Sequence, residues 1–137
     1  MQQIDTYFRN PKGRLKLREV DSDEAYLVYY ERLDIAESRY SNYEICDIPN
    51  PTVFKLVISA ALTVMGVVEK QRELWMFGNT RIHLDSVVNL GEYVELETVI
   101  RSQTEAEAQS EHQIVKDALG IMDCDLIPVS YCDLLFQ

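Results

Sequence analysis

The sequence has few basic residues for its length. Its 137 residues include 13 lysines and arginines against 23 aspartates and glutamates, a formal net charge of -10 at pH 7. A chain this acidic repels the phosphate backbone of nucleic acids and anionic membrane surfaces. We therefore expect neither nucleic acid nor membrane as a partner.

Cysteine and long apolar runs are also scarce. The three cysteines are Cys46, Cys124 and Cys132, and no pair has C-x-x-C spacing. This odd number argues against a disulfide framework and favours a reducing compartment. No stretch approaches the roughly 18 apolar residues of a membrane span, and residues 1–14 lack the apolar segment of a signal peptide. We expect a soluble, cytoplasmic protein.

The remaining composition is that of an ordinary globular domain. Hydrophobic residues make up 47% of the chain and charged residues 26%, which is typical of a folded protein. The length fits one domain that can bury its own core. Because we find no repeat and no low-complexity tract, we predict a single domain over residues 1–137.

Strand patterns dominate the chain. Short runs of alternating or β-branched residues are separated by turn signals such as Asn10-Pro11-Lys12-Gly13 and Gly78-Asn79. The predicted strands are 4–8, 14–20, 25–32, 38–47, 67–77, 80–87, 93–100 and 126–136. The pattern predicts an α+β fold, namely an antiparallel β-barrel (a tunnel) of about eight strands with two helices packed outside.

Two segments show helical periodicity. Residues 52–64 carry an apolar stripe, with Thr52 placed to cap the start and Gly66 to stop the helix. Residues 104–119 begin with Thr104 and Glu107 at capping-box spacing and end at a glycine, Gly120.

The scarce cations alternate along the predicted strands. Alternate residues of a strand share a face. The clusters are Arg14, Lys16 and Arg18; Lys70 and Arg72; and Arg81 with His83 and Asp85. If these faces turn inward, the interior is basic and requires an anion, because unpaired buried cations are very costly. The leucines and valines between the charges, such as Leu15, Leu17, Val94 and Leu96, would then lie outside under the helices.

Carboxylates accompany these cations. Glu95 and Glu97 alternate on one strand, and Asp85 lies across the preceding turn. Arginine and lysine suit phosphate oxygens, and carboxylates suit Mg²⁺ that also contacts phosphates. The alternative is a solvated face with cross-strand ion pairs. Like-sign clustering on three strands favours a polyanion site. We expect His83 to be a satisfied member of an ion-pair network.

Several motifs, in order along almost the whole chain, resemble the class IV adenylyl cyclase branch of the CYTH, or triphosphate tunnel, superfamily. They are Asp5-Thr6-Tyr7-Phe8, residues 13–19 (GRLKLRE), Tyr29-Tyr30-Glu31-Arg32, Lys70-Gln71-Arg72, residues 80–85 (TRIHLD), residues 90–97 (LGEYVELE) and residues 130–135 (SYCDLL).

The resemblance implies a tunnel that holds a triphosphate for cyclase or phosphohydrolase chemistry. The substrate would be a nucleoside triphosphate such as ATP, or an inorganic or organic triphosphate. It implies phosphate contacts from Lys16, Arg18, Lys70, Arg72 and Arg81. It also implies Mg²⁺ or Mn²⁺ held by Glu95 and Glu97, with Asp85 as a further ligand.

The resemblance also concerns the start of the chain. The family opens with a strand carrying E-x-E-x-K, whereas residues 1–5 match its second strand. We therefore expect an open sheet edge that can pair with a second copy to give a homodimer. Two alternatives stay open: a module that binds polyphosphate or nucleotide without catalysis, and a barrel with an apolar lumen for another small molecule.

Overall fold

The structure is a computed structural model that describes residues 1–31 and 42–136. Strands make up most of its regular secondary structure, and helices follow the fourth and seventh strands. The elements are β1 (Gln2–Phe8), β2 (Arg14–Val20), β3 (Glu24–Glu31), β4 (Asn42–Asp47), α1 (Pro51–Ala61), β5 (Val64–Phe77), β6 (Thr80–Val87), β7 (Gly91–Thr98), α2 (Glu105–Ala118), a 3-10 turn (Asp123–Asp125) and α3 (Tyr131–Phe136).

The seven strands form one antiparallel sheet in the order β4-β3-β2-β1-β5-β6-β7. β1 lies at its centre and pairs with both β2 and β5. These findings confirm the predicted α+β class and antiparallel pairing. Within the described residues β4 and β7 do not pair with each other, so the sheet is open and the predicted closed barrel is not confirmed.

Two helices cover the outer face of the sheet. Phe8 and Leu17 are buried beneath Phe54 and Ile58 of α1, as predicted for the leucine face of β2. Helix α2 lies against β6 and β7, where its His112 ring contacts the Thr98 hydroxyl at 3.1 Å. Thr104 and Glu107 form the predicted capping box, and Gly120 has the positive φ of a helix end.

Helix α1 is shorter than predicted. It begins at Pro51, where the Asn50 side chain rather than Thr52 accepts the capping hydrogen bond, and it ends at Ala61. Gly66, predicted to stop it, lies inside β5. The Phe136 ring packs so closely on Gly66 that a Cβ there would lie 2.4 Å from it. This glycine is therefore required by close packing and not by a helix end.

The predicted last strand over residues 126–136 is wrong. Residues 126–130 form neither strand nor helix, and the rest of the segment forms helix α3. Ser130 and Asp133 start this helix by reciprocal hydrogen bonds: the Asp133 amide donates to Ser130 Oγ and the Ser130 amide to Asp133 Oδ2, both at 3.2 Å. Helical spacing lets Tyr131, Cys132 and Leu135 pack together on the sheet, which strand alternation would not allow.

Other sequence predictions differ mainly in their ends. β5 starts at Val64 and β7 spans Gly91–Thr98, against predictions of 67 and 93–100. The predicted connection over 33–37, residue 32 and the first part of the strand predicted over 38–47 lie outside the described residues. Cys132 is buried, Cys46 and Cys124 are exposed, and all three are free. No helix in the described parts of the chain is both long and apolar enough to cross a bilayer.

We expect Leu17→Ala to lower the free energy of unfolding by about 3 kcal/mol, because it opens a cavity beneath α1. Leu17 is fully buried, whereas Leu56 on α1 is 70% exposed. Leu56→Ala is therefore the control and should cost less than about 0.5 kcal/mol. Urea denaturation measures both, and equal losses would contradict this account of the core.

Candidate active site

One face of the sheet carries the charged residues, and we call it the charged face. Cross-strand register places Asp5 opposite Arg18, Arg72 opposite Asp85, and His83 opposite Glu95. Directly opposed residues point to the same side of a sheet. All eight predicted site residues lie on this face: Lys16, Arg18, Lys70, Arg72, Arg81, Asp85, Glu95 and Glu97.

The centre of the charged face is Asp5, which sequence reasoning had not assigned to the site. Its carboxylate has no exposure. It accepts hydrogen bonds from Lys16 Nζ at 3.2 Å and from Lys70 Nζ at 3.1 Å. Arg18 donates to it through Nε at 2.8 Å and Nη2 at 2.7 Å. Three predicted phosphate-binding cations therefore converge on one carboxylate.

Aromatic rings enclose the two lysines. Lys16 Nζ lies 5.5 Å from the Tyr7 ring centre and 5.4 Å from that of Tyr30. Lys70 Nζ lies 5.7 Å from the Tyr131 ring of α3. These distances suit cation–π attraction. The rings also exclude water, which strengthens every charge interaction in the cluster.

Burial and crowding shift the pKa values of this cluster. Burial alone would raise the pKa of Asp5, but the charges of Lys16, Arg18 and Lys70 outweigh it and hold that pKa well below its usual range. Burial, together with the like charges of Arg18 and Lys70, lowers the pKa of Lys16 to about 8 despite Asp5. Burial and neighbouring cations also lower the pKa of Lys70.

A second group of charges adjoins the first. Arg72 binds Asp85 in bidentate fashion, with two N–O distances of 2.7 Å, and reaches Glu95 Oε2 at 2.9 Å. The Tyr131 hydroxyl donates to Asp85 at 2.9 Å. Burial would raise the pKa of Glu95, but His83, Arg72 and Lys70 together lower it to about 2. Glu95 is therefore an anion at neutral pH.

The structure agrees in part with the prediction for His83. Its Nδ1 is buried and lies 3.6 Å from Glu95 Oε2, too far for a hydrogen bond, and the described residues offer it no other partner. His83 therefore lies in the ion-pair network through Glu95, as expected, but its Nδ1 forms no hydrogen bond within the described residues.

The remaining candidates lie further along the strands. Arg81 faces Glu97 across β6 and β7, and Glu97 is exposed. Arg81 and Arg18 line the same cleft. Arg14 instead pairs with Asp133 of α3 at 2.6 Å. The structure thus gathers Lys16, Arg18, Lys70, Arg72, Asp85 and Glu95 closely, with Arg81 and Glu97 beside them.

The acidic side chains of the described residues do not form a cluster typical of a metal site built from protein ligands alone. Residues 1–31 and 42–136 contain no group of three or more histidine, cysteine or acidic side chains arranged around one position. Glu95 and Glu97 alternate on β7 with exposed side-chain surface. Mg²⁺ commonly binds one or two carboxylates plus substrate phosphates, so this pair fits a shared ion. Asp85 already accepts hydrogen bonds from Arg72 and Tyr131.

Comparison with protein-family models identifies the class. The model for the CYTH domain matches residues 1–131. Because the match spans nearly the whole chain, this protein belongs to the CYTH domain family, which confirms the resemblance seen in its motifs. The match extends beyond residue 130, so it includes the start of α3.

Solved structures share the fold. The PH1012 protein from Pyrococcus horikoshii OT3 has a TM-score of 0.84 at 24% identity, over 97% of this chain and 81% of that chain. A conserved hypothetical protein from Pyrococcus furiosus has a TM-score of 0.81 at 22% identity, over 97% of this chain and 82% of that chain. A candidate adenylate cyclase from Vibrio parahaemolyticus has a TM-score of 0.70 at 18% identity, over 98% of this chain and 79% of that chain. No curated protein matches.

We expect Asp5→Asn to lower the free energy of unfolding at pH 7 by about 3 kcal/mol, because it leaves three cations without their counter-charge. Asp47→Asn is the control. Asp47 lies on the same face but is exposed on β4, so its loss should be less than about 0.5 kcal/mol. Urea denaturation measures both.

The pH dependence of the difference between wild type and Asp5→Asn tests whether the charge of Asp5 stabilises the fold. Its pKa is lower in the folded state, so its stabilisation is complete above about pH 4 and is lost as the pH falls further. The difference between wild type and Asp5→Asn should shrink below pH 4. A constant difference from pH 7 to pH 3 would show that the carboxylate charge does not hold the cluster.

Proposed function

We propose that the charged face binds the triphosphate of a nucleoside triphosphate or of another triphosphate compound, together with Mg²⁺ or Mn²⁺, for adenylyl cyclase-type or phosphohydrolase chemistry. The observation that carries the proposal is an excess of positive charge in a largely buried site. Lys16, Arg18, Lys70 and Arg72 face three carboxylates, Asp5, Asp85 and Glu95.

Such an excess favours an anionic ligand, because a buried cation without full compensation is costly. Arginine forks and lysine ammonium groups both suit phosphate oxygens. Lys70 and Arg72 alternate on β5, so their backbones stand about 7 Å apart. Both side chains could therefore contact oxygens of one bound phosphate chain. The charged face would line the tunnel that the family resemblance implies, with α3 covering one end.

The metal ion would be held by Glu95 and Glu97 with phosphate oxygens. It would supply Lewis-acid stabilisation of the charge on the transferred phosphoryl group. Lys70 and Arg72 would hold the phosphates in place and stabilise that charge with preorganised donors. A cyclase must also position a ribose hydroxyl as nucleophile, whereas a phosphohydrolase positions water. Both reactions would use the same phosphate contacts from Lys70 and Arg72.

Thermal unfolding tests whether the protein binds a triphosphate. Tripolyphosphate or ATP with Mg²⁺, at about 100 times its Kd, should raise the Tm of the wild type by roughly 8 °C. Lys70→Leu should abolish most of this rise because it removes a buried phosphate contact. Lys12→Leu is the control, since Lys12 is a 76% exposed lysine on the β1–β2 turn.

The absence of any rise in folded wild type would overturn the proposal. Where binding occurs, analysis of the products of ATP with Mg²⁺ separates the two chemistries. Cyclic AMP would identify a cyclase, and ADP with phosphate, or AMP with pyrophosphate, a phosphohydrolase. Binding without turnover would support the module without catalysis.

Triphosphate affinity should also depend on pH through Lys16. Its pKa of about 8 in the free protein should rise when phosphates bind, so binding takes up a proton. The Kd for tripolyphosphate should therefore increase above pH 8, by up to about tenfold per pH unit. Lys16→Arg keeps its charge at all these pH values, and its profile should be shallower.

Isothermal titration calorimetry from pH 7 to pH 9.5 measures both profiles. The ionisation of tripolyphosphate itself contributes equally to the two proteins, so only their difference reports on Lys16. Parallel profiles would show that Lys16 does not change its protonation when the phosphates bind.

A further inference from the structure

Helix α1 is apolar on the side that points away from its own sheet. Its inner side packs on the core through Phe54 and Ile58. On the opposite side Val53, Leu56 and Val57 are 53%, 70% and 64% exposed, and their spacing places them on one helix face. A helix that is apolar all round is normally buried on both sides. One apolar side of α1 is therefore left without a partner in a single chain.

The same part of the chain carries no negative charge. Residues 48–68 contain no aspartate or glutamate, although the whole chain has 23. Their only charged residue is Lys55, whose ammonium pairs with Glu19 at 3.0 Å. Two copies of a chain with a net charge of -10 repel each other over most of their surfaces. The surface of α1 is therefore one on which a second copy can approach closely.

A second apolar surface lies on β5, β6 and β7, on the side of the sheet opposite the charged face. Its residues alternate with the charged ones and face each other across the strands. We call these residues the outer patch: Trp75, Ile82, Leu84, Val94 and Leu96.

Trp75 is the largest member of the outer patch and is 58% exposed. Its Nε1 donates a hydrogen bond to Glu73 Oε1 at 2.8 Å. A partner can therefore bury the indole ring without leaving its N–H group unpaired. Tryptophan is also among the residues that contribute most to the affinity of protein interfaces.

The helices of the described residues leave the outer patch largely open. Helix α1 lies over the other half of the sheet, where it covers Phe8 and Leu17. Helix α2 reaches β6 and β7 at Thr80 and Thr98, which bind its Glu111 and His112 side chains. One half of the sheet thus has a covering helix, whereas the other half has an exposed apolar surface that a helix would cover.

From these two surfaces we infer that two copies of this chain form a twofold symmetric dimer. The exposed side of α1 of each copy packs on the outer patch of the other copy, so every contact occurs twice. The exposed apolar side chains of both surfaces offer on the order of 800 Å² per copy, the size of a standard interface. The charged face lies on the other side of the sheet, so this inference does not depend on the proposed function.

Sedimentation equilibrium of the whole chain tests this inference. At about 10 μM, wild type should have twice the 15.9 kDa mass of one chain. Leu56→Glu and Trp75→Arg should each raise the dissociation constant about a hundredfold or more, because each buries a charge twice in an apolar interface. Ile45→Glu is the control. Ile45 is 63% exposed on the charged face of β4, and its substitution should leave the dimer intact.

A mixture of the two variants tests whether the two surfaces meet. In a dimer of one Leu56→Glu chain and one Trp75→Arg chain, one of the two contacts keeps its original side chains. The other contact pairs the new glutamate with the new arginine. We therefore expect an equimolar mixture to recover dimers at a concentration at which neither variant dimerises alone.

The other outcomes would contradict the inference. A wild type that stays monomeric at about 10 μM has no such interface. A dimer that survives both substitutions, or that Ile45→Glu weakens equally, forms through another surface, such as a sheet edge. Variants that do not dimerise when mixed show that Leu56 and Trp75 do not meet.

Unfolding of the variants does not explain a loss of dimer. Leu56, Trp75 and Ile45 are all more than half exposed in one chain, so their substitution should leave the stability of the single chain nearly unchanged. Circular dichroism verifies the fold of each variant. An effect on stability that grows with protein concentration reports on assembly.

Discussion

The charged face, with its proposed phosphate site, depends on the carboxylate of Asp5. It lies on β1, the central strand, and therefore receives Lys16 and Arg18 from β2 on one side and Lys70 from β5 on the other. Without this anion, three cations could not share a buried position, because their desolvation and mutual repulsion would be uncompensated. The pairing of β1 with β2 and β5 therefore also brings together the cations of the proposed phosphate site.

Helix α3 extends this arrangement. Tyr131 binds Asp85, Asp133 binds Arg14, and the apolar side of the helix packs against Tyr7 and Val68. The helix therefore closes part of the charged face and leaves the end near Gln3 and Arg18 accessible. Tyr131 of this helix contacts Lys70 and binds Asp85, the partner of Arg72. The geometry of these two cations therefore depends on helix α3.

Local patterns predicted much of the fold. The bounds of β2 and β6 and the capping box of α2 agree with the structure, since alternation and capping are properties of neighbouring residues. The segment after residue 126 was predicted wrongly because its apolar residues suit either a strand or a short helix. The Ser130-x-x-Asp133 spacing was the available signal for a helix start. Only packing against Tyr7 and Gly66 selected the helix.

The sequence by itself determined that its scarce cations share strand faces, and its motifs indicated the family. The tertiary structure decided which anion they meet. Lys16 and Asp5 are 11 residues apart, and Lys70 and Asp5 are 65 apart, so no local pattern pairs them. It also decided that His83 Nδ1 faces Glu95 without a hydrogen bond and that a cleft adjoins Arg18. Side-chain periodicity is local, whereas counter-charges and cavities arise only when distant strands pair.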